Sequence, residues 1–235
     1  MNVPANIPER NPVRLNVASF LLLKQTGFFA EYSKPELLDG ELFGVPQQAD
    51  DEPEYDSSVP VKLALTDYRR LDDAGAFNDL GKTELIDGLV YAVSPQYRPH
   101  GFVKDELTYA LRRALEAQAS ALHVATEQSV AIAPYSEPQP DIILTSEPRG
   151  TGPIPVASVA LVVEISDSTL AFDLNDKARL YAGAGIPEYW VADVEVKVIH
   201  QMWGPKGDAY AERREVAFGG RIESVTVAGL VVKGT

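Results

Sequence analysis

The chain of 235 residues has no cysteine, which excludes disulfide-stapled scaffolds and the common cysteine-based structural zinc sites. Basic residues are also few. With 21 Lys and Arg against 34 Asp and Glu, the net charge is −13 and the molecule as a whole repels polyanions. Any nucleic-acid role must therefore be confined to a local site. Long apolar runs are missing too: the cluster Phe20-Leu21-Leu22-Leu23 is cut by Lys24, far short of the ~20 residues that span a bilayer. Arg10 and Arg14 precede an apolar stretch too short for a secretory signal, so a cytoplasmic location is expected, with no membrane partner. No Walker loop, GxSxG elbow, HExxH or zinc-finger spacing occurs. What is present, 45% hydrophobic and 23% charged residues, is ordinary globular composition.

Residues 15–46 align without a gap onto residues 63–94, with ten of 32 positions identical, among them Gly27/Gly75, Phe29/Phe77, Glu36/Glu84, Asp39/Asp87 and Gly40/Gly88. Each copy reads as a short helix, a turn and a β-hairpin around Asp-Gly, the strongest short-range hairpin signal. Residues 47–60, with five acids, two prolines and no base, read as a solvated linker, and the first ten residues as loose. The expected organisation is an N-terminal extension, 1–60, holding the first, degenerate copy and the linker, followed by the main domain, 61–235.

From about Gly101 to Gln118, Val103, Leu107, Leu111 and Leu115 recur every four residues and predict an amphipathic helix with one buried stripe. Strand-like runs follow at residues 122–126, 128–133, 141–144 and 159–165. The last of these, Val159-Ala-Leu-Val-Val-Glu-Ile165, is nearly continuous in apolar residues and should be central in a sheet covered on both faces. A helix is expected to open at Asp173 as N-cap and close at Gly183–Gly185, before paired strands at EYWVAD and VKVIHQM. This order implies an α/β (α+β) architecture with a central mixed sheet flanked by helices.

Glu164 is the most telling residue, because a carboxylate in so apolar a strand costs several kcal/mol unless something compensates its charge. Asp141 opens the run Ile142-Ile143-Leu144, so the two carboxylates converge if their strands are neighbours. Paired carboxylates are what hard cations such as Mg²⁺ or Mn²⁺ prefer, and such a site activates water. Lys177, on the helix reached directly from Glu164 by a polar loop, is placed to orient or deprotonate a water or to stabilise phosphoryl charge. Simpler readings stand beside these. Asp141 after Pro140 is also a turn residue, Lys177 also a surface lysine paired with Asp173, and Glu84 also a salt-bridge acid. His100 reads as a helix-start residue or a site residue, Ser166–Thr169 as a capping or phosphate-touching loop, and Trp190 and Trp203 as packing. The pairs Arg69-Arg70, Arg112-Arg113 and Arg213-Arg214 contact phosphates only if folding gathers them on one face.

The blocks TELIDG-LVYAVSP, His100 at a helix start, QPDIIL, VVEISDST and D-LNDK-ARLYAGAGIPEYWVAD resemble the bacterial Uma two family of restriction-endonuclease-like proteins, in the PD-(D/E)XK nuclease superfamily. The resemblance runs from about Leu63 to the tail. It implies a restriction endonuclease-like core, with Asp141 and Glu164 as metal ligands, Glu84 as an added acidic member and the Ile165 carbonyl as a further ligand. Ser166 stands where the superfamily pattern has its lysine, and Lys177 matches the family's displaced lysine on the following helix. The implied activity is hydrolysis of DNA phosphodiester bonds by a water activated by Mg²⁺ or Mn²⁺, with Asp141, Glu164 and Lys177 as catalytic residues and a homodimer as the expected assembly. The alternative is a catalytically inactive interaction or dimerisation module on the same fold.

Overall fold

The computed structural model describes residues 11–47, 58–93 and 96–233. The expected loose segment at residues 1–10 and most of the expected linker lie outside the described residues. The chain divides into two compact units, one of Asn11–Val93 with Ala133–Glu137, the other centred on Ser94–Ile132 and the chain from Pro138 onward.

In the first unit, α1 (Val17–Gln25) is capped by Asn16, whose side chain accepts from the Ser19 N–H. It leads to the antiparallel pair β1 (Tyr32–Leu38) and β2 (Glu41–Pro46), with the two-residue β3 (Val59–Pro60) added to β2. The second stretch repeats the order as α2 (Leu65–Asp73), β4 (Thr83–Ile86) and β5 (Leu89–Ala92). Both hairpins turn where expected: φ is 47° and 78° at Asp39-Gly40, and 50° and 80° at Asp87-Gly88. Two left-handed residues in succession match the twist of the flanking strands. Leu23, Phe29 and Leu42 from the first stretch pack in one core with Leu71, Phe77 and Leu85 from the second. The two repeat copies therefore pack within one unit, which runs on to Val93.

The second unit is built on a six-stranded mixed sheet. Its helix α3 (Arg98–Ala117) precedes β6 (His123–Thr126), the short β7 (Val130–Ala131), β8 (Ile142–Thr145), the short β9 (Ile154–Pro155) and β10 (Val159–Ser166). A helical run then holds α4 (Leu170–Phe172), a π-helical turn at Asp173–Lys177 and α5 (Ala178–Gly183). The strands β11 (Glu188–Asp193), β12 (Val198–Lys206) and β13 (Ala209–Ala217) complete the sheet, and β14 (Arg221–Glu223) pairs with β15 (Val231–Lys233) apart from it.

The order across the sheet is β13-β12-β11-β10-β8-β6, so the apolar run of β10 is interior, as expected. It pairs parallel with β11, while β8 joins it antiparallel; the β11–β12 and β12–β13 pairs are antiparallel too. Alternation along β10 sends Leu161, Val163 and Ile165 into the core under α3, where Leu107 and Leu111 are fully buried. Val162 points the other way, into the core under α5 with Tyr181 and Tyr189. Trp190 packs in the core. Beside it Glu188, also fully buried, accepts from Trp190 Nε1, Gln201 Nε2, the Ser224 and Thr226 hydroxyls and the Val225 and Thr226 N–H groups. Those bonds tie the loop after β14 to the sheet. Among the described residues, no helix is long and apolar enough to cross a membrane.

Candidate active site

Glu164 stands one residue from the α3-facing Val163 and Ile165, so strand alternation directs it to the α5 side of the sheet. Lys177 Nζ donates to Glu164 Oε1 at 2.9 Å, and the Tyr181 hydroxyl donates to the same oxygen at 2.8 Å. The Glu164 and Lys177 side chains are each only 5% exposed, and Lys177 stands 4.0 Å from Asp173 Oδ1. The compensation that a buried Glu164 required thus comes from the next helical run, where Lys177 and Tyr181, four residues apart, share a face.

Asp173 corrects an expectation. The N-cap of the helical run is Thr169, four residues earlier, and Asp173 sits inside the run, buried in the π-helical turn. Its Oδ2 accepts from the Thr169 hydroxyl at 2.6 Å. The carboxylate serves side chains within the protein instead of the free N–H groups of a helix start. The π turn inserts one residue into the helical count, and such turns recur at functional sites.

Asp141 approaches the same strand from its other side. β8 begins at Ile142 opposite Val163, so two residues further along β10 the Ile165 N–H finds no ladder acceptor on that strand. Asp141 Oδ2 takes that place at 2.9 Å. The N–H and C=O of a strand residue point to the same side, so the Ile165 carbonyl faces this edge as well. From α3, His100 Nε2 lies 3.2 Å from Asp141 Oδ2, and Gln96 Nε2 donates to Asp141 Oδ1 at 3.0 Å. Lys104, one helical turn beyond His100, donates to Gln96 Oε1 and to Glu127. His100 Nδ1 is buried and has no hydrogen-bond partner among the described residues.

Tyr189 reports electrostatically on the whole group. Burial first, then the charges of Asp173, Glu164, Tyr210 and Asp141, hold its hydroxyl well above the usual tyrosine range. That hydroxyl donates to the Asp173 carbonyl at 3.0 Å. Asp141, Glu164 and Asp173 are therefore all within electrostatic reach of one phenol.

Of the residues expected at a site, the structure brings Asp141, Glu164, Ile165 and Lys177 together at one end of β10. His100 joins them through Asp141. Glu84 belongs to the other unit, buried on β4, and its role as an added acid rests on the resemblance. Arg69 and Arg70 are occupied within that unit, by Glu137 and Asp67. Gln96, Lys104, Tyr181 and Tyr189 were not singled out in the sequence. The four-residue spacings Lys177–Tyr181 and His100–Lys104 are the signal that pointed to two of them; Gln96 carries none.

The donor set suits a hard cation, since the Asp141 and Glu164 carboxylates and the Ile165 carbonyl are all oxygens. Among the described residues no group of three or more His, Asp or Glu side chains is arranged to hold a metal. A shell built here would have to take its third protein ligand from the backbone and the rest from water, as Mg²⁺ commonly does.

No curated protein matches the chain. A solved structure from Anabaena variabilis ATCC 29413, described as a "putative nuclease belonging to DUF820", is similar with a TM-score of 0.49 and 14% identity, over 64% of this chain and 87% of that one. The model of the Uma2 family, described as "Putative restriction endonuclease", matches residues 65–232, more than two thirds of the chain. The chain belongs to the Uma2 family.

Proposed function

We propose that this protein is an endonuclease that hydrolyses DNA phosphodiester bonds with a divalent metal ion, Mg²⁺ or Mn²⁺. Family membership supports the nuclease class and DNA as its general substrate. The observation that carries the reading is the buried Lys177–Glu164 pair beside an Asp141 carboxylate bound to the next residue of the same strand. Charged groups are seldom buried at this density without a task.

Asp141, Glu164 and the Ile165 carbonyl would hold the ion, which when bound supplies Lewis acidity toward a phosphoryl oxygen and makes water a better nucleophile. The chain's own residues do the remainder. His100 on α3 and Gln96 just before that helix fix the Asp141 carboxylate, so its free lone pairs keep one direction. Tyr181 on α5 and Lys177 at the end of the π-helical turn hold Glu164 Oε1, with the ammonium between Glu164 and Asp173. From there Lys177 orients the attacking water and offsets negative charge that grows on the phosphoryl oxygens.

Plasmid and oligonucleotide cleavage with Mg²⁺ and Mn²⁺ tests this. Asp141→Ala and Lys177→Ala are expected to lose at least about 100-fold in rate, the scale of one lost acid–base or electrostatic contributor. Unchanged rates in both variants would remove the site. Titration calorimetry that finds no divalent-ion binding dependent on Glu164 would instead favour the inactive interaction module.

A further inference from the structure

The edge strand β6 of the six-stranded sheet borders a cavity of about 610 Å³, lined among others by Arg112 of α3, His123 and Thr126 of β6, Gln128, and the loop carrying Arg149 and Gly150. A second hollow of about 420 Å³ shares Arg112, His123 and Arg149 with it. Both arginines are exposed, and among the described residues neither lies within ion-pair distance of an acid, although Glu147 lines the same cavity. Acids outnumber bases 34 to 21 in this chain, whereas the lining of the larger hollow holds two arginines and an imidazole with one acid, Glu147, and Glu116 lines the second hollow. Guanidinium forks match the paired oxygens of a phosphate. Gly150, Thr151 and Gly152 of the same loop line the hollow beside them.

Register relates this hollow to the acid group. Thr126 lies opposite Ile142, the residue after Asp141, while His123 lies opposite Thr145. Three strand residues at ~3.3 Å each put the far end of the hollow roughly 10 Å from the Asp141 end. Along α3, twelve residues separate His100 from Arg112, about 18 Å at 1.5 Å per residue. At 3.4 Å of axis per nucleotide of a duplex strand, that span is about three to five nucleotides.

We propose that Arg112, His123 and Arg149 form a phosphate-binding subsite that holds a backbone phosphate of a nucleic-acid strand, about three to five nucleotides from the phosphate at Asp141 and Glu164. The inference deepens the nuclease reading and rests on it for the source of the phosphate. The arginines supply charge where the rest of the surface repels a polyanion, and the span keeps that charge clear of the acids.

Fluorescence anisotropy of the full chain with a duplex of about 20 base pairs, in EDTA so that no strand is cut, provides the test. The pair Arg112→Ala with Arg149→Ala is expected to weaken binding roughly tenfold at low salt and to lower the slope of log K against log salt by about 0.9, the value for one lost phosphate contact. The control pair Arg113→Ala with Arg213→Ala makes the same change in net charge away from the hollow and is expected to leave both nearly unchanged. An equal loss in the two pairs overturns the subsite while leaving the nuclease reading intact. Calorimetry with inorganic phosphate separates the sources. If the duplex does not bind but phosphate does, and only with Arg112 and Arg149 present, the subsite stands for a small phosphate ester and the nuclease reading fails. Binding of neither overturns the proposal.

Discussion

Lys177 and Glu164 each solve the other's burial. Taken alone, either side chain would leave an uncompensated charge almost wholly out of water, a cost of about 3–5 kcal/mol when one partner of such a pair is removed. Lys177→Met is therefore expected to lower stability by that order, and Glu164→Gln combined with Lys177→Met to recover most of it, because an amide and a thioether fit the same space without a bare charge. Chemical denaturation reads the stability and DNA cleavage reads the function. The double variant should be stable and inactive; a stable double variant that still cuts DNA would show the pair to be structural only. Asp141 is a different case, since its carboxylate does a backbone acceptor's work for Ile165. Asp141→Asn keeps an oxygen for that N–H and removes the charge, so the fold is expected to hold while ion binding is lost.

At the scale of elements, local signals were legible wherever the deciding contact was short in sequence. The four-residue stripe of α3 is buried at every position named from it: Val103, Leu107, Leu111 and Leu115. Asp39-Gly40 and Asp87-Gly88 turn as two-residue hairpins because both residues tolerate positive φ. At Gly88 the requirement is double, since φ is 80° and an added Cβ would stand 2.5 Å from the Lys62 Cβ; at Gly27 φ is 78° with nothing within 4 Å. Gly27→Ala is therefore expected to cost ~1–2 kcal/mol, the backbone strain alone, and Gly88→Ala clearly more. Comparison of the two melting temperatures checks this. The N-cap of the helix after β10 lies four residues before the one expected, because Asp173 has the chemistry of a cap but is drawn inward by Lys177 and Thr169. Nor does the sequence signal the π turn, which follows from the packing of both Asp173 and Lys177 against the sheet.

Across the whole molecule, net charge and buried tyrosines set the response to solution conditions. Burial pushes the Tyr68 hydroxyl up to about 12 and holds those of Tyr189 and Tyr210 well above the usual tyrosine range. In the unfolded chain a tyrosine loses its proton near pH 10, so above that pH the folded state binds more protons than the unfolded one. The tyrosine contribution is complete below about pH 10 and is lost as pH rises toward the folded values. Thermal denaturation between about pH 8 and 12 is expected to show a falling midpoint above pH 10, with a shallower fall in Tyr189→Phe. A bound divalent ion acts in the stabilising direction: at 100 times its dissociation constant it contributes about 2.7 kcal/mol, which raises the midpoint by several degrees. That rise is expected in the natural chain and not in Asp141→Asn. Sedimentation in the same buffers tests the proposed homodimer, the assembly suited to cutting two strands.

The sequence by itself determined the periodic elements, the two Asp-Gly turns, the interior strand and the demand that Glu164 be compensated, because each depends on residues a few positions apart or on composition. Tertiary structure alone decided what meets what. Asp141 reaches Ile165 across 24 positions and Gln96 across 45, and His100 reaches the same carboxylate from a helix on the other side of the chain's turn into the sheet. Such pairings follow from strand register and from the side of the sheet on which a helix packs. Those are set by burial summed over the whole core, a quantity that no local pattern contains.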